Sequence, residues 1–423
     1  MGKRQAIKHR PLKYLSTFHN DRWTHPNRAI VAGYGGGKTY AVCVEALLAS
    51  DLNRGVPNMI VEPTYKMVAD ILIPTLTMII EKNGIRYHHN KSSNNFYFPD
   101  WNGHIWLRSG DDPKKLKGPN MGMVFIDEPF IQSRETYDVA ISRTRHPDAK
   151  ILGVVLSGTP ENLNWGYELI TDDKEKFRIY QGTTFDNTYL PGSYVERLLT
   201  SYSEKDADTY VRGLFVDRST GTCYHAFGPH NVIPSYTPVF ARPIEISCDF
   251  NIGLMCWNLG QELNGIDYTF DYVEMTGMAK TETMCSLLKN KLESEYQKSY
   301  SGELIFYCDI AGSANRPEAS RSNIEIIRDA FPNARIEMRH IMNIGDRIAA
   351  TNGRLKDARG NVKAFVTEKC VRLIKDYKQV KWDHFFKKGT AGDLTHTSDG
   401  ESYKFYAKYP LIGKMEITRR NIR

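Results

Sequence analysis

A glycine run between an apolar segment and a helix former, Ala32-Gly33-Tyr34-Gly35-Gly36-Gly37-Lys38-Thr39, constrains this chain more than any other feature. Glycines let successive backbone N–H groups curl around phosphate oxygens, the lysine neutralises the outer phosphates, and a hydroxyl opening a helix can hold Mg²⁺. Arg28-Ala29-Ile30-Val31 reads as a short buried strand and Tyr40 to Leu48 as a helix, the context such a loop requires. The usual spacing has a glycine where Ala32 stands, an exchange that costs little if that residue keeps a negative φ. The loop predicts a grip on a nucleoside triphosphate through Gly33, Gly35, Gly36, Gly37, Lys38 and Thr39.

Downstream, the apolar run Met123-Val124-Phe125-Ile126 ends in Asp127-Glu128. A buried parallel strand that delivers two carboxylates to its C-terminal edge places them where open α/β sheets collect ligands. Asp127 is expected to serve the Mg²⁺ shell and Glu128 to polarise the attacking water. The segments 58–61, 104–107, 124–126 and 151–156 read as strands alternating with helices over 65–82 and 133–144, giving a sheet of parallel character. Ser157-Gly158-Thr159-Pro160 follows the last of these strands, and Thr159 is expected to sense the γ-phosphate.

At 423 residues the chain exceeds one comfortable core. No apolar run reaches membrane-spanning length and Met1-Gly2-Lys3-Arg4-Gln5 precedes no signal-type core, so a soluble, unexported protein with no membrane partner is expected. Seven cysteines show no Cys-x-x-Cys pair and no zinc spacing, and read as reduced thiols. The net charge of +7 permits a polyanionic partner. Basic residues concentrate between Arg354 and Lys388 and again in the tail from Lys404 to Arg423, which reads as a surface for phosphates. The pattern divides into 1–184, an irregular helical connector at 185–240, and a second alternating region at 241–423.

In that second region Ile244 to Asp249, Leu254 to Leu259 and Tyr268 to Glu274 read as an antiparallel start, followed by a helix over 281–297 and a strand ending at Asp309. Asp399 is placed just before a helix at Glu401 to Tyr406. Asp249, Asp309 and Asp399 offer hard oxygen donors suited to Mg²⁺ or Mn²⁺, and two such ions about 4 Å apart can activate water against a phosphodiester. Asp271 and Glu274 are weaker candidates for outer ligands.

Together these residues resemble the large terminase subunit of tailed bacteriophages. The resemblance rests on the phosphate loop ending at Lys38-Thr39, the run into Asp127-Glu128, Ser157 to Pro160 as the coupling motif, Tyr210 to Asp217 as the connector, and Asp249, Asp309 and Asp399 as the nuclease acids. It implies a P-loop NTPase domain of the additional-strand type followed by an RNase H-like α/β nuclease domain. It further implies ATP-driven translocation of double-stranded DNA into the procapsid, and cutting of concatemers with Mg²⁺ or Mn²⁺. Implied partners are the portal ring, the small terminase subunit and further copies in a ring, in the host cell cytoplasm. Many family members carry an arginine before the Asp-Glu strand that reaches a neighbour's ATP; here Lys117 stands there, with Arg108, Arg143 and Arg145 as alternatives. A helicase-nuclease of repair or recombination is the alternative reading, against which no second RecA-like domain is evident after residue 170.

Overall fold

Period-two alternation in the first sheet sends neighbouring apolar residues into two different cores. Ile30, Ile60, Phe125 and Val155 pack into one, while Ala29, Val31, Met59, Val61, Val124, Ile126, Val154 and Leu156 pack into the other. A strand covered on both faces has no solvent side, which is why these segments read as unbroken apolar runs. The computed structural model describes the chain except for residues 1–6, 119, 162, 172–175, 218–220, 240, 297–302, 310–320, 339–342, 387–390 and 412–423.

The first sheet comprises β1 (Arg28–Ala32), β2 (Pro57–Glu62), β3 (His88–Asn90), β4 (Asn95–Phe98), β5 (Gly103–Ser109), β6 (Met123–Asp127), β7 (Gly153–Gly158) and β8 (Arg178–Gly182). Their order is β3-β4-β5-β2-β6-β7-β1-β8. Strand β7 stands between β6 and β1, which is the additional strand. Pairing is parallel except at the β3-β4-β5 edge, a hairpin that short, polar-interrupted strands hid in the sequence. The helix expected over 65–82 is broken into Tyr65–Met67, a π-helical turn Val68–Leu72, and Ile73–Lys82. Pro74 lacks an N–H, and the wider turn just before it absorbs the missing bond.

The second sheet comprises β9 (Val232–Ile233), β10 (Ile244–Cys248), β11 (Leu254–Leu263), β12 (Ile266–Thr276), β13 (Leu304–Cys308), β14 (Arg335–Met338) and β15 (Ala364–Thr367). Their order is β14-β13-β10-β11-β12-β15-β9. An antiparallel meander β10-β11-β12 is extended by β13 running parallel to β10. Helix His396–Lys408 lies against β10, β11 and β13.

By its contacts the chain divides into two units. Residues up to Val195 join Asp208–Asp217 in one, and Glu196–Ala207 joins the described residues after 218 in the other. The segment expected as a connector is therefore shared between the two, with β9 built into the second sheet.

Candidate functional site

In the first unit the phosphate loop leaves β1 at Ala32, which is buried and extended, so the missing glycine carries no strain. Gly35 and Gly37 adopt φ of 70° and 79°, the left-handed conformation that favours glycine, and helix Lys38–Leu52 follows directly. At Gly33 a Cβ would lie 2.6 Å from the Val211 carbonyl and 2.8 Å from that of Tyr210, so the loop is pressed against the segment expected as connector. Tyr34 takes part in the same contact, donating its N–H to the Tyr210 carbonyl and stacking on the Tyr210 ring.

Lys38 is buried and donates from Nζ to the carbonyls of Ala32 and Gly33 and to Thr159 Oγ1 at 3.0–3.2 Å. Thr39 Oγ1 donates to Asp127 Oδ2 at 2.7 Å, joining the loop to the end of β6. Asp127 is buried, its Oδ1 has no hydrogen-bond partner, and burial raises its carboxyl. Glu128 holds φ 47° and ψ 52°, rare for a side chain of its size, and Oε2 accepts the Thr159 N–H at 2.9 Å. Burial pushes the Glu128 carboxyl up to about 7 against the pull of Lys38. The loop after β7 thus touches both Lys38 and Glu128 through a single residue, Thr159.

Two hard carboxylate oxygens, one of them the orphaned Asp127 Oδ1, and a threonine hydroxyl are a donor set that suits Mg²⁺. Among the four basic residues considered for a trans role, Arg108 is occupied locally, donating to Ser93, Asn95 and Leu107 and lying over Trp106. Lys117 is exposed, Arg143 donates toward the Gly118 carbonyl, and Arg145 donates to Asn120, so these three gather at one loop.

In the second unit, β10 and β13 pair in parallel with Cys248 opposite Cys308, so Asp249 and Asp309 emerge side by side. Asp399 is not ahead of the helix but in its first turn, since the helix opens at His396. The early start is secured by Asp376, whose Oδ2 accepts the N–H groups of Thr397 and Ser398. Gly400 lets this helix close on β10: a Cβ there would lie 3.1 Å from the Ser247 carbonyl and 3.3 Å from the Asp249 nitrogen. Asp399 is therefore carried against Asp249, and the Tyr403 hydroxyl feels all three acids, Asp399, Asp249 and Asp309.

His396 Nδ1 lies 3.5 Å from Asp249 Oδ2, and this pair raises the imidazole's affinity for a proton. Asp399 is pushed up to about 6 by burial, with Arg347 opposing and Asp249 adding to the rise. Arg347 is buried, ion-paired with Asp399, and also bound to Ser402. Among the described residues no group of three or more His, Cys, Asp and Glu is set at metal-holding geometry. The carboxylate donors have the chemistry of a Mg²⁺ or Mn²⁺ site, with Asp399 engaged by Arg347. Ile310 to Ser313, read as small residues beside Asp309, lie outside the described residues. Asp271 is taken up by Lys369, Lys291 and Tyr296, and Glu274 by Arg372, so neither is free to act as an outer ligand.

Sequence reading passed over Glu62, Arg347 and Asp376. The signal for Glu62 was present: Met59-Ile60-Val61-Glu62 is an apolar run closing on an acid, as at Asp127. Arg347 and Asp376 lie in other elements, and no local pattern points from them to Asp399.

Residues 29–227 match the family described as terminase large subunit, T4likevirus-type, N-terminal. The chain is 25% identical over 210 residues to the PBSX phage terminase large subunit of Bacillus subtilis (strain 168), a match over 44% of this chain and 48% of that protein. The match spans about half the length of that curated relative. A solved structure of the large terminase from a thermophilic bacteriophage superposes with a TM-score of 0.69 at 16% identity, covering 94% of this chain and 99% of that one. The same phage protein in complex with ADP gives 0.68 at 15% identity, over 95% and 100% of the two chains.

Proposed function

We propose that this chain, a relative of the large terminase subunits of tailed phages, uses ATP to drive double-stranded viral DNA into a procapsid and cuts concatemeric DNA with Mg²⁺ or Mn²⁺. The observation that carries the ATPase half is the Thr39–Asp127 hydrogen bond of 2.7 Å. It joins the phosphate loop to the acid of the neighbouring strand, as a nucleotide-bound cation requires.

The loop N–H groups cradle the phosphates, and Lys38 exchanges the Ala32 and Gly33 carbonyls for phosphate oxygens. Thr39 and Asp127 would hold Mg²⁺, whose charge, when bound, offsets that of the transferring phosphoryl group. Glu128, with its carboxyl near 7, is matched to accepting a proton from the attacking water at neutral pH. Thr159 bonds to both Lys38 and Glu128, so losing the outer phosphate changes the forces on the Ser157–Pro160 loop. The complex of the thermophilic phage terminase with ATP-gamma-S supports ATP as the nucleotide.

In the second unit Asp249, Asp309 and Asp399 would hold the divalent ions, which supply an activated water and stabilise the leaving oxygen. His396, held on Asp249 and Asn251, is placed to orient water beside them. Double-stranded DNA, the portal ring, the small terminase subunit and further copies of the chain are the partners this function calls for.

Site-directed separation tests the reading. Lys38→Ala is expected to abolish ATP turnover and leave Mn²⁺-dependent cleavage of plasmid DNA, and Asp309→Ala to do the reverse. Loss of both activities from either change, in folded protein, contradicts it.

A further inference from the structure

Glu62 closes β2 at the same edge of the first sheet at which Asp127 closes β6, the strands pairing in parallel with Val61 opposite Ile126. Glu62 is 1% exposed, and among the described residues no N–H or hydroxyl donor reaches either of its carboxyl oxygens. Asp127, equally buried, leaves Oδ1 without one. Burial raises the Glu62 carboxyl, the charges of Asp127 and Glu128 add to the rise, and the Glu62 and Asp127 carboxyls are within hydrogen-bonding reach of one another. Lys38 lies 3.8 Å from Glu128 and its charge acts on Asp127, but it already donates to Ala32, Gly33 and Thr159.

Burying a carboxyl with both oxygens unsatisfied destabilises a fold, and an apolar side chain of similar size would pack there without that penalty. Two buried carboxyls that meet one another, with no protein donor on either Glu62 oxygen or on Asp127 Oδ1, form a cluster of oxygen donors suited to a group the protein alone does not supply. The donors are oxygen only, which selects a hard cation or its water over a soft metal.

We propose that Glu62 is a positioning residue of the nucleotide site: it accepts hydrogen bonds from water on the divalent cation that Thr39 and Asp127 would hold, and so sets how tightly that cation joins the nucleotide. This rests on the ATPase reading above. Mg²⁺ keeps several of its waters when protein-bound, and the groups that orient those waters and ligands govern affinity. Glu62 does not touch the reacting phosphate in this account. Its effect travels through the cation and Asp127.

The experiment titrates Mg²⁺ into the full-length chain mixed with a fluorescent ADP analogue, comparing wild type, Glu62→Gln, Glu62→Met and Lys38→Ala, with thermal unfolding in the absence of Mg²⁺ as a second measurement. Glu62→Gln and Glu62→Met are expected to bind the analogue without Mg²⁺ as wild type does. They should need roughly 10- to 100-fold more Mg²⁺ to reach the same tightening, the effect typical of losing an outer-shell partner. Glu62→Met should also melt no lower than wild type without Mg²⁺. An unchanged Mg²⁺ requirement in a folded Glu62→Gln or Glu62→Met protein overturns the inference alone. A wild-type chain that binds no analogue, or a Lys38→Ala chain that binds it equally well, overturns the ATPase reading and this inference with it.

Discussion

Glu128 combines a backbone conformation that its side chain disfavours with a carboxylate tethered to the Thr159 N–H and a proton affinity shifted to about 7. Strain persists only where its surroundings over-determine it. Glu128→Gln keeps the shape and removes the base, so phosphate release from ATP should fall by about 10²- to 10⁴-fold with nucleotide binding retained. Glu45 illustrates the opposite use of a buried acid. It takes His19 Nδ1 at 2.6 Å, Arg22 at 2.8–2.9 Å and Arg28 at 2.8 Å, with Arg28 fully buried. Burial works to raise its carboxyl, but the bonds from His19 and Arg22 and the charge of Arg28 outweigh it and hold the group well below its ordinary range. A folded-state value below the unfolded one gives stability that is present above about pH 4.3 and lost as pH falls further. Acid unfolding of the first unit, followed by circular dichroism, should be shallower in Glu45→Gln. Glu45→Ala, which strands Arg28, should cost about 3–5 kcal/mol at neutral pH.

Helix Ile344–Leu355 shows how an element can depend on one small residue. A Cβ at Gly353 would lie 1.9 Å from the Ser201 carbonyl, so the backbone of the Glu196–Ala207 segment occupies the side-chain position. Gly353→Ala should destabilise the second unit by about 1–3 kcal/mol, read as a lowered melting temperature. The basic stretch read from the sequence as one phosphate surface is divided by its elements. Arg354 pairs with Asp267, Lys363 with Asp357, Lys369 with Asp271 and Glu295, and Arg372 with Glu274. Lys375, Lys378 and Lys381 are exposed, while Lys387, Lys388 and the tail from 412 lie outside the described residues. Replacing Lys375, Lys378 and Lys381 together by Ala should flatten the salt dependence of DNA binding, measured by anisotropy. Arg354→Ala should instead lower stability and leave that slope unchanged. Charge composition does not reveal pairing, because three of the acids that neutralise these bases, Asp267, Asp271 and Glu274, come from β12, far back along the chain.

At the scale of the molecule, two sheets with separate hydrophobic clusters stand in two units. Each has its own core, so calorimetry should resolve two transitions. Saturating ATP-gamma-S with Mg²⁺ should raise only one of them, by about 2.7 kcal/mol of added stability at 100 times the dissociation constant. Much of this plan was legible because the strands announce themselves as apolar runs or alternating segments that end in an acid: Met123 to Asp127 and Ile244 to Asp249. The β3-β4 hairpin, the π-helical turn before Pro74 and the true start of the helix bearing Asp399 were not, since each depends on a partner far along the chain or on a local defect that no periodicity records.

Residue order was enough to define the phosphate loop, its strand and helix, and Asp127, Glu128, Asp249 and Asp309 at strand ends, because backbone conformation and burial period are local properties of residue type. Packing in three dimensions was needed to establish that Glu62 closes its strand beside Asp127, that Thr159 ties Lys38 to Glu128, that Arg347 engages Asp399, and that much of the basic stretch is neutralised. Those are facts of strand order and side-chain approach, which arise when segments tens or hundreds of residues apart are brought together.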